Sequence, residues 1–209
     1  MSSPPAFTDA AATWNQRFAG DDYVFGREPN EYLRSKAALI APGGGVLCVA
    51  DGEGRNSVWL ARQGLRVQAF DVADVAVAKA RRLAAEAGVS VDYQLAGCDD
   101  YAWPENAFDA VVGIFIQFAD PAMRERQFAG MVRCLRPRGL LVLQGYGPRQ
   151  LEFKTGGPGV LSHLYTPELL RTAFAGLEIV DLVEVEAALT EGTRHTGMSA
   201  LVGLVARKP

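Results

Sequence analysis

The sequence predicts an α/β protein built on a doubly wound, mostly parallel seven-stranded sheet that ends in an antiparallel C-terminal hairpin. Short apolar segments alternate with segments of helical periodicity from residue 46 to about residue 175, and this pattern favours parallel strands joined by right-handed crossovers. The last two strand patterns are joined by a short turn at Thr190-Glu191-Gly192, which is typical of an antiparallel pair. The 209 residues are 49% hydrophobic and 22% charged, as expected for a single globular domain over residues 1–209.

Each element follows from its residue pattern. The predicted strands, in chain order, are residues 46–50, 65–70, 89–95, 108–115, 140–144, 178–188 and 195–206. The predicted helices are residues 30–40, 55–63, 73–87, 121–135 and 166–175. The first helix ends before Pro42-Gly43-Gly44-Gly45, and Gly64 and Gly88 follow the next two. Asp120-Pro121 and Thr166-Pro167 begin the last two helices with a capping residue and a proline. Residues 108–115 are almost wholly apolar, as expected for a parallel strand covered on both faces. Residues 2–6 are expected to lack regular structure.

Charge and composition exclude several classes of partner. The formal net charge is −3 and the pI is about 5.5, so the chain lacks the basic surface that nucleic-acid binding requires. No apolar run approaches the ~20 residues of a membrane-spanning helix, and residues 1–12 lack the features of a signal peptide. The three cysteines are odd in number and widely spaced, so neither a disulfide nor a metal site is expected. We expect a cytoplasmic monomer or homodimer that binds a small molecule, with no membrane partner.

A glycine-containing turn after the first strand predicts the ligand site. Ligands of such sheets bind at the carboxyl ends of the strands, and Gly52 and Gly54 allow close backbone approach there. Asp71 ends the next strand and can accept hydrogen bonds from ribose hydroxyls. A dinucleotide site would place a third glycine where Ser57 stands, and the neighbouring carboxylates Asp51 and Glu53 would repel a pyrophosphate. The pattern therefore favours S-adenosylmethionine, which has the ribose without the phosphates.

The chain resembles the class I S-adenosylmethionine-dependent methyltransferases, and within them the small bacterial group of tellurite-resistance-type or thiopurine-like methyltransferases. The similar segments are "WNQRFAGDDYVFGREPNEYL" at residues 14–33, "ADGEGRN" at 50–56 and "EGTRHTG" at 191–197, so the resemblance covers nearly the whole chain. It implies a Rossmann-like methyltransferase fold, a small-molecule methyl acceptor and S-adenosylhomocysteine as the product. The residues assigned to the cofactor are Tyr23, Gly26, Asn30, Ala50, Asp51, Gly52, Gly54, Asn56, Asp71, Val72, Cys98, Asp99 and Ile114.

The sequence departs from the family pattern at two positions. The usual first glycine of the turn is Ala50 here, which is tolerable if this residue keeps ordinary strand angles. Many members place an aspartate after the third strand to hold the adenine amino group, and we align Gly97 at that position. The adenine contact is then left to the Cys98 backbone or to the Asp99 side chain.

Two residues are candidates for the chemistry at the acceptor. His195 falls in the family's "EGxxHxG" pattern and is a candidate base, although a structural role is the commoner one for a histidine. Arg149 is a candidate for holding an anionic acceptor through its planar guanidinium, against the alternative of a solvated loop charge. A soft or anionic nucleophile is the expected acceptor and needs no base, whereas a neutral hydroxyl needs one.

Residues 1–45 are expected to form a helical lid segment over a catalytic core at residues 46–209. The aromatic and polar residues Trp14, Tyr23, Phe25 and Asn30 precede the first strand and can close over the strand ends; the alternative is permanent packing against the sheet. Two other functions stay open. One is a catalytically inactive module that binds S-adenosylmethionine or S-adenosylhomocysteine, and the other, disfavoured by Ser57, is a nicotinamide-dependent oxidoreductase.

Overall fold

A computed structural model describes residues 10–209, so the prediction for residues 2–6 lies outside the described part of the chain. Seven strands form one sheet in the order β3-β2-β1-β4-β5-β7-β6. The strands are β1 Gly45–Val49, β2 Arg66–Asp71, β3 Val91–Leu95, β4 Phe108–Ile114, β5 Leu135–Tyr146, β6 Glu178–Glu191 and β7 His195–Arg207. Strands β1 to β5 pair in parallel, and β7 pairs antiparallel with both β5 and β6. The predicted sheet and its antiparallel hairpin are confirmed.

Seven α-helices connect or cover these strands in the described part of the chain. They are α1 Ala10–Phe18, α2 Glu31–Lys36, α3 Arg55–Arg62, α4 Asp74–Glu86, α5 Pro121–Cys134, α6 Gln150–Phe153 and α7 Pro167–Ala173. The predicted caps of α5 and α7 are confirmed, because the side chains of Asp120 and Thr166 accept hydrogen bonds from the amides of Met123 and Leu169. The helix predicted at residues 30–40 is shorter, since α2 passes into a 3₁₀ turn at Ala37–Leu39.

Strand β5 begins five residues earlier than its pattern predicts, at Leu135 rather than at residue 140. Leu135 already pairs with Phe108, and the register shifts before the regular pairing of Ala110 with Leu140. The segment between contains Arg138 at φ 67°, whose amide donates to the Lys208 carbonyl. The Pro-Arg-Gly sequence is therefore an irregularity within a long strand and not a loop before it.

The core lies on both faces of the sheet, as expected for parallel strands covered by helices. Val46, Leu47, Ala110, Val111 and Leu141 on the central strands are all fully buried. The chain leaves β1 towards β2 on one side and reaches β4 on the other, so the strand order reverses between β1 and β4. The carboxyl ends of these two strands are where the geometry of such sheets places a ligand.

Candidate functional site

Backbone strain marks the ends of both central strands. Ala50 follows β1 with φ 47°, and Phe115 follows β4 with φ 57°. Both angles lie in the left-handed region, which is uncommon for residues with a β-carbon and is found often at functional sites. The expectation that Ala50 keeps ordinary strand angles is therefore wrong: the turn needs a left-handed residue at this position, where the family's usual residue is glycine.

The two glycines of the turn have different roles. Gly52, at φ 62°, has open space around it, since an added β-carbon would meet only the Phe18 ring edge, at 3.6 Å. At Gly54 an added β-carbon would lie 2.8 Å from the Ala80 β-carbon and 2.9 Å from the Tyr93 hydroxyl. Gly54 thus allows the turn to pack on α4, whereas Gly52 leaves the backbone accessible for a ligand.

Asp71 is joined directly to the glycine turn. Its carboxylate accepts hydrogen bonds from the Gly52 amide at 2.8 Å and from the Ala73 amide at 2.9 Å. The side chain is 7% exposed, and burial raises its pKa while these backbone donors lower it. A carboxylate has about four acceptor positions, so Asp71 can still accept from a ligand hydroxyl.

Asp51 is held by residues that the sequence pattern did not identify. The Ser57 hydroxyl donates to the Asp51 carboxylate and also lies 2.9 Å from the Tyr93 hydroxyl. Burial, together with the nearby Asp71, raises the pKa of Asp51 to about 7, although the Ser57 hydrogen bond opposes the shift. Ser57 therefore has a structural function at the position where a dinucleotide site has its third glycine.

Glu53 is not free to repel a ligand, because its charge is paired. Its carboxylate lies 2.8 Å from the Lys79 ammonium and accepts from the Val24 amide at 2.7 Å. Tyr23 lies on the same side, where its hydroxyl donates to the Lys79 carbonyl at 3.2 Å and its ring lies close to Arg27 and Arg82. The structure therefore places Tyr23 against α4.

Helix α1 lies across the strand ends. Phe18, 2% exposed, packs with Ala73 and Ala76, and Trp14 stacks on Phe18 and meets Phe118, which follows β4, edge to face. The amide of Asn15 donates to Asp74, at the start of α4. The N-terminal segment thus spans the region from the end of β2 to the end of β4.

The same segment is locked to the C-terminal hairpin through backbone contacts. The Thr193 amide donates to the Val24 carbonyl at 2.9 Å. A β-carbon added at Gly192 would lie 2.3 Å from that carbonyl oxygen and 2.5 Å from the Gly26 nitrogen. Gly26 therefore contacts the hairpin turn.

His195 lies at the start of β7 in a buried polar and aromatic cluster. Its Nδ1 is 3.4 Å from Glu191 Oε2, and the same carboxylate oxygen accepts from the Arg55 guanidinium at 2.8 Å. The rings of Phe25 and Phe115 lie 4.5 and 4.4 Å from the imidazole, measured between centroids. Burial lowers the pKa of His195 below 6.5, although Glu191 opposes the shift, so the imidazole is neutral at pH 7.

Asn30 connects this cluster to the sheet. Its amide group donates to Gln144 Oε1 at 2.7 Å and to Glu191 Oε1 at 3.0 Å, and its backbone amide donates to Asn56 Oδ1 at 3.0 Å. Asn30 also caps α2 through Leu33. Asn30 and Asn56 thus hold the N-terminal segment, α3, β5 and the hairpin together around His195.

The loop after β3 brings Cys98 next to the Asp71 end of the site. Burial raises the pKa of the Cys98 thiol to about 12, and Asp71 contributes. A β-carbon at Gly97 would lie 3.1 Å from the Asp100 carboxylate and 3.8 Å from Val72, so the loops after β2 and β3 are in contact. Asp99 instead points to solvent and forms a bidentate pair with Arg126 at 2.8 and 2.9 Å.

The remaining predicted residues lie at the ends of β4 and β5. Ile114 ends β4 and pairs with Gln144 of β5. Arg149 is exposed, and its ionic partners are Glu152 and Glu186, so the structure does not bring it to His195. Two other arginines lie closer: Arg17 lowers the pKa of His195, and burial and the neighbouring Arg194 lower the pKa of Arg17.

The predicted residues of the glycine turn and Asp71 lie together in the structure, whereas part of the histidine cluster was not predicted. Arg55, Gln144, Tyr146 and Glu191 lie in that cluster without having been singled out. Glu191 stands four residues before His195 in the quoted "EGTRHTG" segment, and the hairpin turn between them brings the two side chains together; that spacing was the available signal. Gln144 and Tyr146 carried no signal beyond the strand pattern.

Two surface clefts, of about 520 Å³ beside α3 and α4 and about 770 Å³ between α5 and α7, include none of the predicted site residues. Within residues 10–209 no helix is long and apolar enough to cross a bilayer. The same residues contain no cluster of three or more histidine, cysteine or carboxylate side chains placed to hold a metal ion.

Comparison with known proteins adds family evidence. Residues 46–139 match the model of a methyltransferase domain family. A ubiquinone biosynthesis O-methyltransferase of Xanthomonas campestris pv. campestris is 35% identical over 116 residues, which are 54% of this chain and 46% of the relative. The chain thus spans about half the length of the curated relatives it matches.

Solved structures share the fold over nearly the whole chain. The N-methyltransferase NodS of Bradyrhizobium japonicum, solved with S-adenosylhomocysteine, has a TM-score of 0.71 at 15% identity and covers 95% of this chain and 98% of NodS. A structure described under the conversion of a disulfide bond into a thioacetal group during echinomycin biosynthesis has a TM-score of 0.77 at 19% identity, covering 96% and 93% of the two chains. At these identities the likeness establishes the fold, which is the Rossmann-like methyltransferase fold.

Proposed function

We propose that this protein transfers a methyl group from S-adenosylmethionine to a small-molecule acceptor. The proposal rests mainly on the hydrogen bond that joins Asp71 to the glycine turn, in which the Asp71 carboxylate accepts from the Gly52 amide at the carboxyl ends of β1 and β2. Both residues lie inside the segment that matches a methyltransferase domain. The assignment to the tellurite-resistance-type or thiopurine-like group stays a prediction.

The residues at this end of the site fit the cofactor. Gly52 leaves space above the backbone, and Asp71 keeps acceptor capacity for ribose hydroxyls. Val72 and Cys98 border the same end from the loops after β2 and β3. When bound, S-adenosylmethionine supplies an electrophilic methyl group, whose bond to the sulfonium sulfur breaks as its bond to the acceptor forms.

His195 and Glu191 support a hydroxyl acceptor. With Nδ1 facing Glu191, a neutral His195 carries its proton on Nδ1 and leaves Nε2 free to accept one. A hydroxyl that gives its proton to Nε2 becomes an anionic oxygen nucleophile; this acceptor differs from the soft or already anionic nucleophile expected from the sequence, which needs no base. Glu191 would stabilise the imidazolium, as a carboxylate does for a histidine base, and the O-methyltransferase name of the relative from Xanthomonas agrees with this class.

Arginines at the site support an acceptor that also carries a negative group. Arg194 acts electrostatically on Arg17, and the Arg17 guanidinium lies 4.4 Å from the centre of the Trp14 ring. The role first predicted for Arg149 stays a prediction, since Glu152 and Glu186 already neutralise that side chain.

A methyl-transfer screen tests the proposal. Labelled S-adenosylmethionine is offered with phenols, small acids, thiols, selenite and tellurite, and we expect label in a phenolic product. Label found only in thiols or selenite would support the methyltransferase proposal and contradict a hydroxyl acceptor. Binding of S-adenosylhomocysteine without transfer to any compound would favour the inactive binding module.

A further inference from the structure

Tyr146 has a buried hydroxyl without a hydrogen-bond partner. It is the last residue of β5 and is 1% exposed, and no atom of residues 10–209 pairs with its hydroxyl oxygen. A buried hydroxyl left unpaired costs about 1–3 kcal/mol, so a group of this kind in a native fold needs an explanation. A ligand that pairs with it supplies one.

The hydroxyl belongs to the histidine cluster. The Tyr146 ring lies 5.7 Å from the His195 ring and 4.7 Å from the ring of the strained residue Phe115, measured between centroids. Burial and the charge of Glu191 raise the pKa of Tyr146. The phenol therefore stays protonated at neutral pH and can donate.

Two consecutive glycines, Gly156 and Gly157, lie against this tyrosine. A β-carbon at Gly156 would lie 2.9 Å from the Tyr146 hydroxyl, and one at Gly157 would lie 2.6 Å from its ring. Gln150 holds the loop through the Gly156 carbonyl at 3.1 Å. Gly156 and Gly157 place no side chain over the tyrosine, so a shift of this loop would open the hydroxyl to a ligand.

We propose that the Tyr146 hydroxyl binds the methyl acceptor, donating a hydrogen bond to the same acceptor oxygen whose proton passes to His195. This inference rests on the proposed function. Two groups on neighbouring strands then fix one oxygen: the tyrosine holds it, and the imidazole accepts its proton. The ligand class is a hydroxyl compound small and flat enough to lie among the rings of Phe25, Phe115 and His195.

The chain contains a matched control. Tyr165 is also completely buried, and its hydroxyl also lacks a partner among the described residues. It packs in the main core, where its ring meets Phe128 at 5.8 Å, whereas Tyr146 belongs to a separate cluster with Leu164 and Leu201. Tyr165→Phe also removes one buried, unpaired hydroxyl group, but from a position outside the histidine cluster.

The test compares Tyr146→Phe with Tyr165→Phe, using catechol as the acceptor. We expect Tyr146→Phe to raise the KM for catechol about tenfold, the effect of one lost hydrogen bond, with unchanged affinity for S-adenosylhomocysteine and an unchanged or higher melting temperature. Tyr165→Phe should leave the KM as in the wild type.

Equal kinetics for both variants, or equal losses in both, would overturn the inference, as would a wild-type enzyme that methylates thiols or selenite but no phenol. Failure of the wild type to bind S-adenosylhomocysteine would instead count against the proposed function itself.

Discussion

At the scale of single residues, the backbone of Ala50 is in a strained conformation, and glycine at this position would relieve the strain. A left-handed conformation costs a residue with a β-carbon about 1–2 kcal/mol, and Ala50 has φ 47°. We expect Ala50→Gly to raise the free energy of unfolding by about 1 kcal/mol after the entropy of glycine is subtracted. Urea denaturation measures the change.

The control for this prediction is Ala78→Gly. Ala78 is exposed within α4, so glycine there should lower the free energy of unfolding by about 1 kcal/mol. Losses of similar size in both variants would show that Ala50 is not strained.

Asp71 carries the prediction for cofactor binding. We expect Asp71→Ala to make the binding free energy of S-adenosylhomocysteine less favourable by roughly 1.5 to 3 kcal/mol, the range for a hydrogen bond to a charged group. The variant should remain folded. Asp92→Ala, on the exposed part of β3, should leave the affinity unchanged. Calorimetry with unaltered affinity for the Asp71 variant would exclude it as the ribose ligand.

His195 predicts the pH dependence of transfer. Its pKa is lowered from 6.5 by burial, so the imidazole loses its proton below that pH and the base is available above it. We expect kcat/KM for a phenol to rise with pH below 6.5 and to be level from about pH 7. In His195→Asn, kcat/KM should no longer rise with pH over this range, and most of the activity should be lost.

His163 provides the comparison for this profile, because its ring bonds to the Gln117 carbonyl at 3.2 Å, outside the histidine cluster. His163→Asn should keep the wild-type profile. A rising limb that survives in His195→Asn would assign the titration to another group.

At the scale of elements, the N-terminal segment is joined to the hairpin by the hydrogen bond from the Thr193 amide to the Val24 carbonyl. If residues 14–30 act as a lid, their amides should exchange faster without S-adenosylhomocysteine than with it. Removal of residues 1–28 should leave the sheet folded and abolish transfer. Equal hydrogen exchange with and without the ligand would mean that Trp14, Phe18 and Phe25 pack permanently.

Gly192→Ala tests the contact that joins the two parts. The added β-carbon would meet the Val24 carbonyl at 2.3 Å, so we expect faster exchange over residues 14–28 and reduced transfer. Gly64→Ala has the same left-handed strain, at φ 82°, with nothing within 4 Å, and should affect stability alone. Identical behaviour of the two variants would show that strain, and not the contact, is responsible.

Elements were predictable where local pattern and tertiary structure agree. The apolar strands and the Asp-Pro and Thr-Pro helix starts are local signals, and the structure confirms them. Helix α1 was predicted only within a helical lid segment at residues 1–45 and without bounds of its own, because its stability comes from Trp14 and Phe18 packing against distant residues. The early start of β5 also depends on a distant partner, Phe108.

At the scale of the whole molecule, the fold predicts which ligands stabilise it. A ligand that binds the native state raises the melting temperature in proportion to occupancy. We expect S-adenosylhomocysteine to raise it and NAD to leave it unchanged, since Ser57 is held by Asp51 and Tyr93 where a dinucleotide site needs glycine. A rise with NAD alone would contradict the methyltransferase proposal.

The site as a whole was predictable at one end only. The glycine turn and Asp71 lie within a short stretch of chain, so their meeting follows from the strand order. The cluster around His195 gathers residues from the N-terminal segment, α3, β5 and the hairpin. Apart from the four-residue spacing of Glu191 and His195, spacing within the sequence carries no information on these side chains, because only the folded sheet brings them together.

The contact between Val24 and Thr193 joins residues 169 positions apart. It can therefore form only late in the synthesis of the chain. At translation rates of about 5–20 residues per second, the N-terminal segment waits roughly 8 to 34 s for its partner. During that interval the Phe25 ring cannot pack against His195, because the hairpin has not yet been synthesised. We therefore expect the nascent protein to gain its acceptor site only as the last strand emerges, well after the glycine turn has formed.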